Sequence, residues 1–151
     1  MNINIKKSYK KADKGFTLVE LIVIIVILGI IAAALVPALM GYIDNSKDKQ
    51  MALNAKAALA AAQTEMSTLY ARGKEPQDIS KSPYKDDVLN TAQIDKSCEK
   101  LIIGCIGTRG EDAYKITYVL YKENNKTILF DGVSWDENVT EPSGIIKYTI
   151  K

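Results

Sequence analysis

The side chains capable of chemistry in these 151 residues are few and scattered. There is no histidine, which removes the commonest general base, proton shuttle and metal ligand together. Two cysteines, Cys98 and Cys105, cannot by themselves make a four-ligand zinc site. They suit a disulfide stapling a loop if that stretch is exported, and otherwise stand as free thiols. Asp131, Asp136 and Glu137, around Gly132 and Trp135, offer the clustered hard oxygens that calcium takes, although a polar turn between strands is the simpler reading. Gly104, Gly107 and Gly110 with Arg109 mimic an anion-binding turn, but they do not follow a strand and open a helix, so they read as loop. Asp86-Asp87 reads as a solvated pair or a helix start, and Asn138-Val139-Thr140 has the glycosylation pattern. No motif places a pair of acids for carboxylate catalysis. The expectation is therefore a chain that is not an enzyme, with no catalytic residue, no cofactor and no resident metal.

Glu20 is the exception. It is the sole charge between Phe16 and Met40, in a run that includes Leu21-Ile22-Val23-Ile24-Ile25-Val26-Ile27-Leu28. Roughly 20 helical residues at 1.5 Å each cross a hydrocarbon core of about 30 Å, so this run is long enough to span a membrane. Its β-branched residues favour strand in water, but a lone segment in lipid must satisfy its own backbone, and only helix does that. A carboxylate there costs at least ~2.5 kcal/mol on insertion scales and calls for a partner. None lies within the segment. A neighbouring copy could supply the missing cation, and so could a new α-amino group created by cutting before Phe16.

The charge distribution supports a membrane reading. Residues 1–15 hold five lysines (Lys6, Lys7, Lys10, Lys11, Lys14) against Asp13, whereas the whole chain is only +2. The remainder is therefore mildly acidic, which argues against nucleic-acid binding through a basic face of the body. Lysines before the span and balanced charges after it (Asp44, Lys47, Asp48, Lys49) place the N-terminus in the cytoplasm by the positive-inside rule. A cleaved secretory signal ending near Ala32-Ala33-Ala34, an ordinary single-span anchor and a buried soluble helix are the competing readings. The first is weakened by Glu20 and by a helical pattern that continues past the supposed cut.

The string Lys14-Gly15-Phe16-Thr17-Leu18-Val19-Glu20, between a basic leader and a long apolar helix, resembles the processing site of type IV pilins and pseudopilins. The resemblance is specific over about residues 14 to 40 and architectural beyond. It implies cleavage by a prepilin peptidase between Gly15 and Phe16 and N-methylation of Phe16. It also implies that Glu20 neutralises the terminal amine of an adjacent subunit during assembly. Gly29 and Pro37 match a helix-weakening glycine and a proline that recur in family spans, and they mark where the helix is expected to open. The implied partners are further copies of the chain, the peptidase, the cytoplasmic membrane before assembly and a pilus assembly platform. The implied subunit is one long helix whose second half lies on a small sheet. A pseudopilin of a secretion or DNA-uptake machine is the alternative within the family, and a single-span surface binding protein is the alternative outside it.

The elements that hold these residues follow from pattern. The expected divisions are a cleaved basic leader over 1–15, an apolar helix over 16–43 and an exported α+β head over 44–151. Within the head, Ala-rich sequence predicts a helix over 44–72, with Ala55, Leu59, Ala62, Met66, Leu69 and Tyr70 forming one buried stripe. Arg72-Gly73 supplies its stop. Residues 73–113 read as loop, with a short helix around Asp86–Lys100 and an apolar cluster at Leu101-Ile102-Ile103. An antiparallel sheet is expected over 114–151. It has Tyr114, Ile116, Tyr118 and Leu120 on one face, a turn at Glu123–Lys126 into Thr127–Phe130, and a last strand at Ile145–Ile150.

Overall fold

The computed structural model describes residues 15–94, 96–137 and 141–151. The leader lysines and the Asn138-Val139-Thr140 pattern lie outside the described residues. Helix α1 runs over Leu18–Ala71 with Pro37 inside it, and the chain divides after Asp44 into two units. A helix followed by an antiparallel sheet makes the fold α+β, as in pilins.

The first unit holds the apolar part of α1. Every residue from Gly15 to Lys47 is exposed, including Phe16 at 77% and the whole Leu21–Leu28 run. Among the described residues none covers this apolar rod, which is the kind of surface that lipid or other chains cover.

The second unit is built on the rest of α1. Met51, Ala55, Ala58, Ala61, Ala62, Met66 and Leu69 are buried at helical spacing. Small alanines let the sheet approach closely, while the two methionines fill what remains. Leu59 is only partly buried, and Tyr70 turns outward to meet Tyr114 edge-to-face with ring centroids 5.1 Å apart. The expected stripe is thus right in its centre and too wide at those two positions. The helix stops as Arg72-Gly73 requires. Gly73 adopts φ +63°, its N–H bonds the Tyr70 carbonyl at 3.1 Å, and the Lys74 N–H bonds that of Leu69 at 3.0 Å. This pair is the Schellman closure, and the left-handed φ is what calls for glycine.

Residues 73–113 are more ordered than a loop. They hold a 3₁₀ turn at Pro76–Ser80, helix α2 at Tyr84–Thr91 and strand β1 at Cys98–Cys105. Asp86 and Asp87 fall in the first turn of α2, where carboxylates favour the helix dipole. The remaining strands are β2 (Ile116–Glu123), β3 (Lys126–Phe130), β4 (Trp135–Asp136) and β5 (Ile146–Thr149). Their order is β4-β3-β2-β1-β5, with every pairing antiparallel. The unexpected strand β1 is therefore an interior strand, between β2 and β5. The hairpin between β2 and β3 turns at Asn124 and Asn125, both at positive φ, which gives the twist that a two-residue connection needs.

Pairing of β1 with β2 skips Glu99 near one end and Thr117 near the other. Each extra residue reverses the alternation of the strand that carries it. The core face consequently holds Ile116, then Val119, Tyr121 and Glu123, against Cys105, Ile103, Leu101 and Cys98. Tyr118, expected with Ile116, lies outside this core cluster, with Lys147 6.0 Å from its ring centroid. Gly104 is required beside it, because a Cβ there would run into the Ile145 side chain. The chain end is pinned as well: Ile150 is fully buried, and the Leu101 N–H bonds the Lys151 carbonyl at 2.8 Å.

Candidate functional site

The residues singled out from the sequence meet at the start of α1. The peptide Gly15-Phe16-Thr17 is extended, Leu18 opens the helix, and Gly15, Phe16, Thr17 and Glu20 line one shallow concavity. The Glu20 N–H bonds Thr17 Oγ1 at 3.2 Å, and the Thr17 N–H bonds Glu20 Oε2 at 3.4 Å. This is a reciprocal capping box, in which two of the N–H groups with no intrahelical partner are satisfied. Among the described residues no cation is paired with Glu20. Its carboxylate is thus turned back along the chain toward the Gly15-Phe16 peptide and held by the first turn.

Thr17 is the residue of this site that motif reading passed over. The Thr-x-x-Glu spacing ahead of an apolar run signals a helix start on its own. Here the same two residues also sit inside the Lys14–Glu20 string, whose resemblance draws the eye to Glu20 alone. In lipid the cap does more than start a helix, since water is absent and an unsatisfied N–H costs several kcal/mol.

Further along the segment, Gly29 leaves its side open and Pro37 sits inside the helix. Proline lacks the N–H that would reach the carbonyl of Ala33 and crowds it. Gly29 adds about 1 kcal/mol of lower helix propensity relative to alanine. Both lie within the unbroken helix Leu18–Ala71, where they are its two least helix-favouring residue types.

The other candidates resolve into structure. Cys98 and Cys105 are free, buried and at opposite ends of one face of β1. Seven steps of strand hold their Cα atoms roughly 20 Å apart, against the ~7 Å limit for a disulfide. The expected staple between them therefore does not exist. Burial raises both thiols, Cys105 to about 12, so they remain protonated and unreactive.

Asp131 caps its own turn, with Oδ1 accepting from the Val133 N–H at 2.9 Å and the Ser134 N–H at 2.7 Å. Those bonds lower its pKa and give the carboxylate its place in the turn. No three carboxylate, cysteine or histidine groups converge for a metal among the described residues. Gly107 is explained by packing, since a Cβ there would press on Asp112 and the Ala113 backbone. Gly110, at φ +69°, enters the 3₁₀ turn Glu111–Tyr114.

One buried polar cluster was not legible in the sequence. Glu123 is 8% exposed and accepts from Tyr121 Oη at 2.8 Å, Ser97 Oγ at 2.9 Å and Asn54 Nδ2 at 3.2 Å. These donors come from α1, the turn before β1 and β2 itself. Burial raises the Tyr121 phenol, reinforced by its bond to Glu123, so it stays a donor at any physiological pH. The cluster locks helix to sheet and contains nothing that turns over.

Comparison with known proteins places the string at the start of α1. Residues 10–36 match the family described as the prokaryotic N-terminal methylation motif. Fimbrial protein Q of Moraxella bovis is 39% identical over 66 residues, covering 44% of this chain and 40% of that one. The type IV major alpha-pilin of the same organism is 40% identical over 65 residues, 43% of this chain and 38% of its own. The type II secretion system core protein G of Klebsiella michiganensis is 43% identical over 53 residues, 35% of this chain and 37% of its own. The matched stretch thus spans about two fifths of each relative's length. No solved structure matches the chain.

Proposed function

We propose that this chain, which carries the prokaryotic N-terminal methylation motif, is the precursor of a type IV pilin subunit that assembles through α1 into a cell-surface filament. The observation that carries this reading is the pairing of a fully exposed apolar rod with a single carboxylate capped at its very start. A structural role needs nothing more, and the chain turns over no substrate. A prepilin peptidase would cut between Gly15 and Phe16 and methylate Phe16. Before assembly the apolar half would sit in the cytoplasmic membrane, with the leader inside and residues 44–151 outside. An assembly platform would then hand subunits to the filament. The type II secretion relative supports the pseudopilin reading as the alternative.

Within a filament the rod exchanges lipid for neighbouring rods. The new amine at Phe16 then needs an anion, and Glu20 of an adjacent copy is the charge available at that depth. The same transfer relaxes the helix between Gly29 and Pro37. In lipid a freed carbonyl has no partner, so helix is enforced; in a protein core, neighbours can shield it. Opening about eight residues from 1.5 to roughly 3.3 Å each would lengthen the stalk by about 14 Å.

Electron microscopy of surface filaments from cells with and without this chain tests both statements. Filaments that depend on the chain, with broken helical density between Gly29 and Pro37, are expected. Unchanged filaments without it would remove the pilin reading, and continuous helix from Phe16 to Ala55 would remove the opening.

A further inference from the structure

A groove of about 570 Å³ lies between α1 and the start of β2 in the second unit. Leu59, Ala60, Ile116 and Phe130 give it an apolar lining. The Phe130 ring is held in place by Trp135, stacked against it with ring centroids 5.1 Å apart. Gln63 ties the two walls, accepting from the Ile116 N–H at 2.9 Å and donating to the Tyr114 carbonyl at 3.0 Å. The slot is therefore preformed, and its size is that of a small-molecule site.

Its unspent polar side chains can all donate. Lys56 and Lys115 are the charged residues of its described lining, both exposed, and neither has an ion pair among the described residues. Thr117, also in the lining, carries a buried hydroxyl oxygen with no hydrogen-bond partner. Such an orphan is rare and costly, and it marks a place where an acceptor is missing. Asp131 adjoins the groove through Phe130 and Gly132 but is not part of the lining, and its Oδ1 is held by the Val133 and Ser134 N–H groups.

We propose that this groove binds a small amphipathic organic anion, with its apolar ring against Leu59, Ile116 and Phe130 and its carboxylate toward Lys56 and Lys115. Removing the ring from water supplies affinity, and the two ammonium groups select an anion over a neutral or cationic ligand. A longer acidic chain fits less well. Past the Gln63 bridge the next hollow is lined by Ser67, Tyr70 and Glu111, so a peptide running on would meet a carboxylate of its own sign. The inference concerns the second unit alone and does not depend on the filament reading.

Trp135 is the only tryptophan in the chain and lies against Phe130, so it reports occupancy of the groove. The full-length protein in nonionic micelles is titrated with dansylglycine, an aromatic ring system bearing one carboxylate, and with dansylamide, its uncharged counterpart. Saturable energy transfer from Trp135 to dansylglycine is expected, with dansylamide weaker by roughly tenfold or more for want of the charged contact. Replacing both lysines, Lys56→Gln with Lys115→Gln, should bring dansylglycine down to the level of dansylamide. Lysine acetylation read by mass spectrometry gives a second measure, which decides even if the double variant fails to fold. Saturating dansylglycine should protect Lys56 and Lys115 of the wild-type chain several-fold and leave the exposed Lys49 and Lys74 as reactive as before. Equal binding of the two dansyl compounds, a folded double variant that binds dansylglycine unchanged, or equal protection of all four lysines would overturn the proposal. So would transfer that rises without saturating, the mark of partition into the micelle. An acidic peptide that protects Lys56 and Lys115 where dansylglycine does not would assign the groove to a protein partner instead.

Discussion

Glu20→Ala is expected to leave the protein in the membrane, with its second unit folded, and to abolish its appearance in surface filaments. Taking a carboxylate out of lipid is favourable by at least ~2.5 kcal/mol on insertion scales, so membrane insertion improves. The second unit has its own core and does not touch this residue's role. On the proposed function, what is lost is the counter-charge for a neighbour's buried amine, and an uncompensated buried charge costs roughly 3 to 5 kcal/mol. That cost recurs at every subunit added, so yield falls steeply. Loss of the helix cap contributes about 1 kcal/mol more. Glu20→Gln separates the two effects, since glutamine at this position still accepts from the Thr17 N–H but carries no charge. Filament immunoblots and membrane fractions measure both variants. Normal filaments from Glu20→Ala would end the assembly role; normal filaments from Glu20→Gln alone would assign that role to the cap.

A chain beginning at Asn45 is expected to be soluble, monomeric and cooperatively folded. The exposed apolar residues from Phe16 to Ile43 are gone, while the buried set from Met51 to Ile150 is kept whole. The helix retains its Ala-rich stretch and its Gly73 stop, and the Glu123 cluster still ties Asn54 to Ser97 and Tyr121. The ion pairs Lys126–Asp48 and Lys122–Glu99 also survive, although such surface pairs add at most about 1 kcal/mol each. Size-exclusion chromatography and thermal circular dichroism check this. Aggregation or a non-cooperative melt would show that the apolar half of α1 is needed for folding.

The parts of this molecule that one local pattern specifies were readable before any coordinates. Lipid leaves an apolar run of this length no choice but helix, the alanine spacing marks a packed stripe, and Arg72-Gly73 marks its end. Glu123-Asn124-Asn125-Lys126 announces a hairpin because two asparagines tolerate positive φ. What escaped depends on pairing with distant residues. Strand β1 looks like loop because glycines and charges surround it and Leu101-Ile102-Ile103 is a short apolar run without alternation. Its interior place in the sheet is fixed by β2 and β5, not by its own sequence. The faces of β2 could not be assigned correctly either, since the unpaired Thr117 shifts parity between Ile116 and Val119. The cysteine separation carries no direction, and an extended strand puts the two thiols out of reach where a loop would bring them together. At the candidate site the N-terminal motif was legible, whereas the capping geometry of Thr17 needed the first turn of helix to be seen.

The most direct test of the account is the intact mass of the protein extracted from the cell surface. Cleavage between Gly15 and Phe16 with one added methyl group on the Phe16 amine is the predicted species, confirmed by fragmentation of the N-terminal peptide. The mass of the uncut chain, or of a chain cut after Ala34, would contradict the account, because the first has no Phe16 amine for Glu20 to neutralise and the second has lost Glu20 itself.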